Sequence, residues 1–107
     1  MELLNLEGKD DRDVIFTVFG LNDLQKSIFQ ELEDHKLTVQ EVASRVDRNR
    51  STVQRALQEL MEKDLIMREG RTDQTVYYLY TTLPLDDIKD LTRDALDDWH
   101  EQVKSKL

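Results

Sequence analysis

The chain contains no cysteine, a single proline and three glycines, and aromatic residues make up 7% of it. Without cysteine there are no disulfides, no thiolate zinc sites and no thiol nucleophile. So little glycine and proline suits a helix-rich protein better than an all-β one, whose many turns draw on both. No apolar run approaches the roughly 20 residues that cross a bilayer, and the opening MELLNLEGKD lacks the basic start and apolar core of a signal peptide. A cytoplasmic protein with no membrane partner is expected. His35 and His100 stand apart from any ligand set, so neither a metal nor another cofactor is expected. Ser27, Ser44 and Ser51 have no His and Asp in a recognisable arrangement. The neighbouring pairs Asp86-Asp87 and Asp97-Asp98 do not share a helical face, so they form no carboxylate dyad. No enzyme is expected.

What is present is charge, unevenly distributed. The 107 residues support one domain with a modest core. Their formal net charge is −8, which taken whole disfavours contact with phosphate. Yet residues 1–36 carry nine acids against four bases, 37–84 carry seven of each, and 85–107 carry seven against four. Six of the eight arginines (Arg45, Arg48, Arg50, Arg55, Arg68, Arg71) fall between positions 45 and 71. A neutral, arginine-bearing middle lies between acidic flanks.

Periodicity divides that middle into elements. Leu24, Ile28, Phe29 and Leu32 recur at helical spacing from Asn22 to about His35, and Asn22 with Gln25 resembles a capping box. Thr38 with Glu41 repeats the signature and opens a two-turn helix whose face is Val39, Val42, Ala43 and Val46. Asp47, Arg48 and Asn49 then form a turn without glycine, Asp and Asn being tolerant of turn backbones. Asn49 or Ser51 caps the next helix, and Gln54 three residues after Ser51 favours the latter without deciding between them. Before all of these, DRDVIFTVFG is a short apolar run, helix or strand; Asp10 or Asp11 as a cap and Gly20 as a terminator favour helix. Either way it belongs to the core.

The helix from about 50 to 63 separates into two faces at 100° per residue. Val53, Ala56, Leu57 and Leu60 share one side. Ser51, Gln54, Arg55 and Gln58 share the other, with no acid among them and Glu59 and Glu62 only at the flank and further along. Arg and Gln are the side chains that pair bidentately with guanine and adenine edges in a major groove. Beyond Asp64 the period becomes two: LIMRE (65–69) and TVYYLY (75–80) read as a β-hairpin, with GRTDQ as a turn carrying Gly70 and Arg71. At least one of Tyr77, Tyr78 and Tyr80 should pack on the helices. After Pro84, with Asp86 as its cap, a last helix aligns Ile88, Leu91, Ala95, Trp99 and Val103, with Leu96 and Leu107 at the edge. About 20 helical residues extend about 30 Å, more than the small core beside them needs. Part of that stripe should meet a second copy of the chain.

This order of elements resembles the winged helix-turn-helix regulators, in particular the archaeal TrmB-like and the MarR-like groups. The matching segments are LTVQEVASRVDRNRSTVQRALQELMEKDLIMREG and TVYYLYTTLPLDDI. Val42 and Ala43 fit the first helix of the motif, Arg50 to Val53 the opening of the recognition helix, Leu60 to Ile66 the entry to the wing, and Tyr77 to Pro84 the exit into a dimerising helix. Asp47 and Arg48 depart from the glycine and apolar residue usual in the turn. Long TrmB proteins also carry a sugar-binding domain, so a short form without an effector domain is expected, its small-molecule effector unknown. The resemblance implies a mainly α fold with a β-hairpin wing: one winged-helix domain over 1–107, with core and wing at 10–84 and a dimerisation helix at 85–107. It implies a homodimeric transcriptional regulator that binds double-stranded DNA at a near-palindromic operator. Arg50, Gln54, Arg55 and Gln58 would read bases; Arg48, Ser51, Thr52, Arg68 and Arg71 would contact phosphates. Two other readings stay open. One is a winged helix that binds protein in a transcription or chromosome assembly. The other is a dimeric small-molecule sensor.

Overall fold

A computed structural model describes residues 11–105 of the chain. Five helices and one hairpin follow in the order α1 (Asp11–Val18), α2 (Asp23–Leu32), α3 (Val39–Val46), α4 (Arg50–Glu62), β1 (Ile66–Thr72), β2 (Val76–Thr82) and α5 (Leu85–Ser105). This is the winged-helix arrangement, mainly helical with a two-stranded antiparallel wing. Two compact units can be described: α2 through β2, and α1 with α5.

In the first unit, local signals set the helix starts. Asn22 Oδ1 accepts from the Gln25 N–H at 2.8 Å while Gln25 Oε1 accepts from the Asn22 N–H at 3.0 Å, completing the capping box that opens α2. Thr38 and Glu41 do the same for α3 at 3.2 and 2.9 Å. The Thr38 N–H holds the Glu41 carboxyl below its ordinary pKa, with the Thr38 hydroxyl and Arg45 adding to the effect. A depressed carboxylate contributes stability that is present above its unfolded pKa and is lost as pH falls through the folded one. Glu41→Gln, which keeps the shape but removes the carboxylate charge, is therefore expected to cost up to about 0.5 kcal/mol at neutral pH, the group being exposed. The variant's deficit should shrink below the ordinary Glu range, which denaturant titrations at neutral and acidic pH will read.

Helix ends use aspartate where glycine is usual. Asp47 (φ 55°) follows α3 in the left-handed region, and the Arg48 N–H reaches back to the Ala43 carbonyl at 3.2 Å. Asp64 (φ 61°) does this after α4, with Leu65 N–H to Leu60 O at 3.1 Å and Asp64 N–H to Met61 O at 2.9 Å, a Schellman closure. Asp tolerates this backbone through its short polar side chain, which is how a glycine-poor chain turns sharply twice. Asp64→Gly is expected to raise stability by up to about 1 kcal/mol and Asp64→Val to lower it by about 1–2 kcal/mol. Urea midpoints of the two variants check the opposite signs.

The buried apolar residues on the first unit's helices are Ile28, Phe29 and Leu32 of α2, Val42 and Ala43 of α3, and Val53, Ala56, Leu57 and Leu60 of α4, with Leu21 and Leu37 buried in the segments before α2 and α3. Leu65, Ile66 and Tyr80 join them from the hairpin, and each fully buried large aliphatic or aromatic side chain contributes about 1.5–3 kcal/mol. Buried Gln25 also donates from Nε2 to Glu59 Oε1 at 3.2 Å, tying the start of α2 to α4. A short extension absent from the sequence reading is the bridge between Leu37 and Tyr80, paired in both directions at 3.0 and 2.7 Å.

The hairpin differs from expectation at its tip. Pairing runs from Ile66↔Thr82 to Thr72↔Val76, so Gly70 lies opposite Tyr78 and Arg71 opposite Tyr77, both within strands. Residues 73–75 make the turn, closed by Asp73 N–H to Thr75 O at 3.0 Å. Gly70 suggests an earlier turn; the β-branched residues Thr72 and Val76, well suited to a ladder, extend the pairing past it up to Asp73. Tyr80 is the tyrosine that packs inward, while Tyr77 and Tyr78 stay exposed.

In the second unit, α1 settles residues 11–18 as helix, ended by Gly20 (φ 63°). Asp10, one of its two candidate caps, lies outside the described residues. Ile15 and Phe16 of α1 are buried, as are Ile88 and Thr92 of α5, whose Thr92 hydroxyl donates to Ile88 O at 2.7 Å. Asp86 does not cap α5 as expected. The helix begins at Leu85, and the Pro84 carbonyl accepts from the Asp87 and Ile88 N–H groups at 3.0 and 3.1 Å, which puts Asp86 inside the first turn. There it and Asp87 still complement the helix dipole.

Candidate nucleic-acid interface

The α3–α4 turn decides how α4 is presented. Asn49, not Ser51, caps α4, its Oδ1 accepting from the Thr52 N–H at 2.8 Å. Arg50, Ser51 and Thr52 therefore form an acid-free first turn. All three are exposed, as are Gln54, Arg55 and Gln58, while Val53, Ala56, Leu57 and Leu60 are buried. The facial separation of α4 follows the 3.6-residue period, since the apolar side is consumed by the core.

Nothing ties the leading cations of this face. Among the described residues neither Arg50 nor Arg55 has an ion-pair partner. Arg48 in the turn is exposed, with Nη1 at 3.4 Å from the Asp47 carbonyl. Glu59 turns aside to meet Gln25, so it does not enter the polar stripe. Glu62 does approach: Gln58 Nε2 donates to its Oε1 at 3.5 Å. The free donors of α4 are thus concentrated in its N-terminal half, the part that reaches base edges in helix-turn-helix docking.

The wing arginines are engaged, on opposite faces of the hairpin. Arg68 sits over the Tyr78 ring with its guanidinium carbon 4.2 Å from the centroid, a cation–π contact. Arg71 Nη2 lies 3.1 Å from Glu69 Oε1, and Lys36 Nζ lies 3.4 Å from Glu69 Oε2. The Arg71 side-chain hydrogen bond is the main reason the Glu69 carboxyl is held below its ordinary pKa, with Lys36 adding to it. Lys36 was not singled out in the sequence. It stands 33 residues from Glu69, and no local pattern marks such a pair.

Between α2 and α3 a groove of about 410 Å³ is lined by Asp23, Ser27, Gln30, Glu31, Arg45 and Arg48, among others. Arg45 Nη1 and Glu31 Oε2 pair at 3.4 Å. On α5, Leu91 and Ala95 are half-buried, whereas Trp99 is 62% and Val103 39% exposed. Among the described residues no group of His, Asp and Glu is arranged to hold a metal ion, and no helix is long and apolar enough to cross a membrane.

Comparison with known proteins agrees with this geometry. An uncharacterised protein of Methanocaldococcus jannaschii is 37% identical over 97 residues, covering 89% of this chain and 81% of its own. A possible transcriptional regulator from Methanosarcina mazei Go1 superposes with a TM-score of 0.77 at 18% identity, over 88% of this chain and 82% of its own. MepR of S. aureus, solved as a complex with DNA, gives a TM-score of 0.60 at 21% identity, over 88% and 81%. Both structures share the winged-helix fold. The family model described as sugar-specific transcriptional regulator TrmB matches residues 16–86, more than half of the chain. The chain belongs to the TrmB family of transcriptional regulators.

Proposed function

We propose that this chain binds double-stranded DNA sequence-specifically as a homodimer and regulates transcription in the cytoplasm. The observation that carries this reading is the exposed, acid-free stripe of Arg50, Ser51, Gln54, Arg55 and Gln58 on a helix whose other side is fully used by the core. In a protein of net charge −8 such a face is where phosphate and base edges are tolerated. Arg50, Gln54, Arg55 and Gln58 read bases from the major groove. Arg48, Ser51, Thr52, Arg68 and Arg71 contact the backbone and set register. The DNA complex of MepR, which has the same fold, supports this docking.

The chain acts as a single winged-helix domain, residues 1–107, with 85–107 as its dimerisation helix. Leu91, Ala95, Trp99 and Val103 form the surface that meets the second copy, and Ile88, buried in the chain itself, backs it. Two modules on a two-fold axis require a near-palindromic operator with half-sites about 34 Å apart.

Selection of a genomic-fragment pool at two salt concentrations tests the reading. Enrichment of fragments sharing an inverted repeat, with affinity falling steeply as salt rises, is expected. A pool that emerges unenriched at low salt rejects it in favour of a protein-binding winged helix.

A further inference from the structure

Two cations from separate elements converge on a single carboxylate. Lys36 comes from the segment after α2 and Arg71 from β1, and each takes a different oxygen of Glu69, at 3.4 and 3.1 Å. The backbone fixes all three. Glu69 and Arg71 are two apart on one strand and so share a face, and Lys36 adjoins Leu37, which is paired in both directions with Tyr80. Side-chain exposures of 58% for Lys36, 42% for Glu69 and 49% for Arg71 leave the cluster open to a ligand. Arg68 lies on the opposite face over Tyr78 and takes no part.

A carboxylate with one cation on each oxygen has the outline of a phosphate held by two donors. Solvent-exposed ion pairs of this kind are individually weak, about 0–1 kcal/mol. A phosphodiester, charged and able to take an arginine fork, competes well for the same groups. The trio is net positive once Glu69 is set against Lys36 and Arg71, so an approaching phosphate is attracted.

We propose that Lys36 and Arg71 form a seat for a DNA backbone phosphate beside the wing, and that Glu69 occupies this seat in the free protein as an internal competitor. The proposal rests on the reading of the chain as a DNA-binding protein and adds Lys36 to its contacts. Glu69 lowers affinity for every duplex equally, because a phosphate seat carries no sequence information.

Glu69→Gln keeps shape and hydrogen-bonding capacity but removes the competing charge. Titration of the full chain against a pool-selected duplex and a scrambled duplex should give, per chain bound, about three- to tenfold tighter binding to both and a salt slope steeper by about one, with an unchanged ratio between the two duplexes. In a Lys36→Gln, Arg71→Gln background the same substitution should do nothing. Asp73→Asn at the wing tip, which removes a charge outside the seat, should act alike in both backgrounds. Glu69→Gln leaving affinity and slope unchanged overturns the proposal while leaving DNA binding intact. Equal strengthening in the Lys36→Gln, Arg71→Gln background also overturns it, because Glu69 would then act only as a distant charge. Failure of the wild type to bind either duplex overturns the proposal and its parent reading together.

Discussion

The double variant Arg50→Ala, Arg55→Ala is expected to lose nearly all discrimination between a selected operator and unrelated DNA while remaining folded. Each arginine that pairs bidentately with guanine supplies about 1–3 kcal/mol of discrimination, so losing two costs about 2–6 kcal/mol and lowers the specificity ratio by roughly three orders of magnitude. The fold should survive because both side chains are exposed and neither has an ion-pair partner among the described residues. Surface substitutions of that kind stay within about 0.5 kcal/mol. Competition binding against operator and scrambled duplex measures the ratio, and a urea transition on the same sample measures the fold. A variant that still selects the operator would move base reading away from α4. Two positively charged groups per chain are removed as well, so non-specific affinity should also fall and the salt slope should flatten by up to about two for each chain bound.

The face of α4 was legible in the sequence because the core imposes its period: positions 53, 56, 57 and 60 had to be apolar, and the residues between them had to face outward. Both capping boxes were legible for a similar reason, each being a local exchange between residues three apart. The cap of α4 was not. Asn49 and Ser51 each satisfy an N-cap rule, and Gln54 favoured Ser51, but the left-handed Asp47 brings the chain into helix at Arg50. The wing tip was less legible because a glycine punctuates a turn only when pairing stops there, and Thr72 with Val76 carries it beyond Gly70 up to Asp73. Least visible were the contacts that join distant segments. Lys36 with Glu69, Gln25 with Glu59 and Leu37 with Tyr80 have no sequence spacing that would announce them. Two of these bear on the proposed interface, since one engages the carboxylate that pairs with the wing arginine and the other turns Glu59 away from the reading face.

Trp99→Asp should convert the protein to a monomer and remove most of its affinity for a paired operator. Trp99 is 62% exposed on a helix of 21 residues, so the chain itself gains little from it. Across a two-fold interface an aromatic anchor is commonly worth 2 kcal/mol or more, and the symmetry counts the loss twice. Sedimentation at tens of micromolar should give a dimer for the wild type and a monomer for the variant. Binding to an isolated half-site should be unchanged, whereas binding to two half-sites should fall by about 10²–10⁴, the gain that linkage of two modules provides. Salt adds a second check. α5 carries seven acids against three bases between Leu85 and Ser105, so two copies brought together repel, and added salt should tighten the dimer. The DNA contact responds in the opposite sense, weakening as salt rises. Half-site affinity of the wild type should therefore fall monotonically with salt, while paired-site affinity falls less steeply than twice that slope. In Trp99→Asp, with no dimer left to screen, the two slopes should coincide.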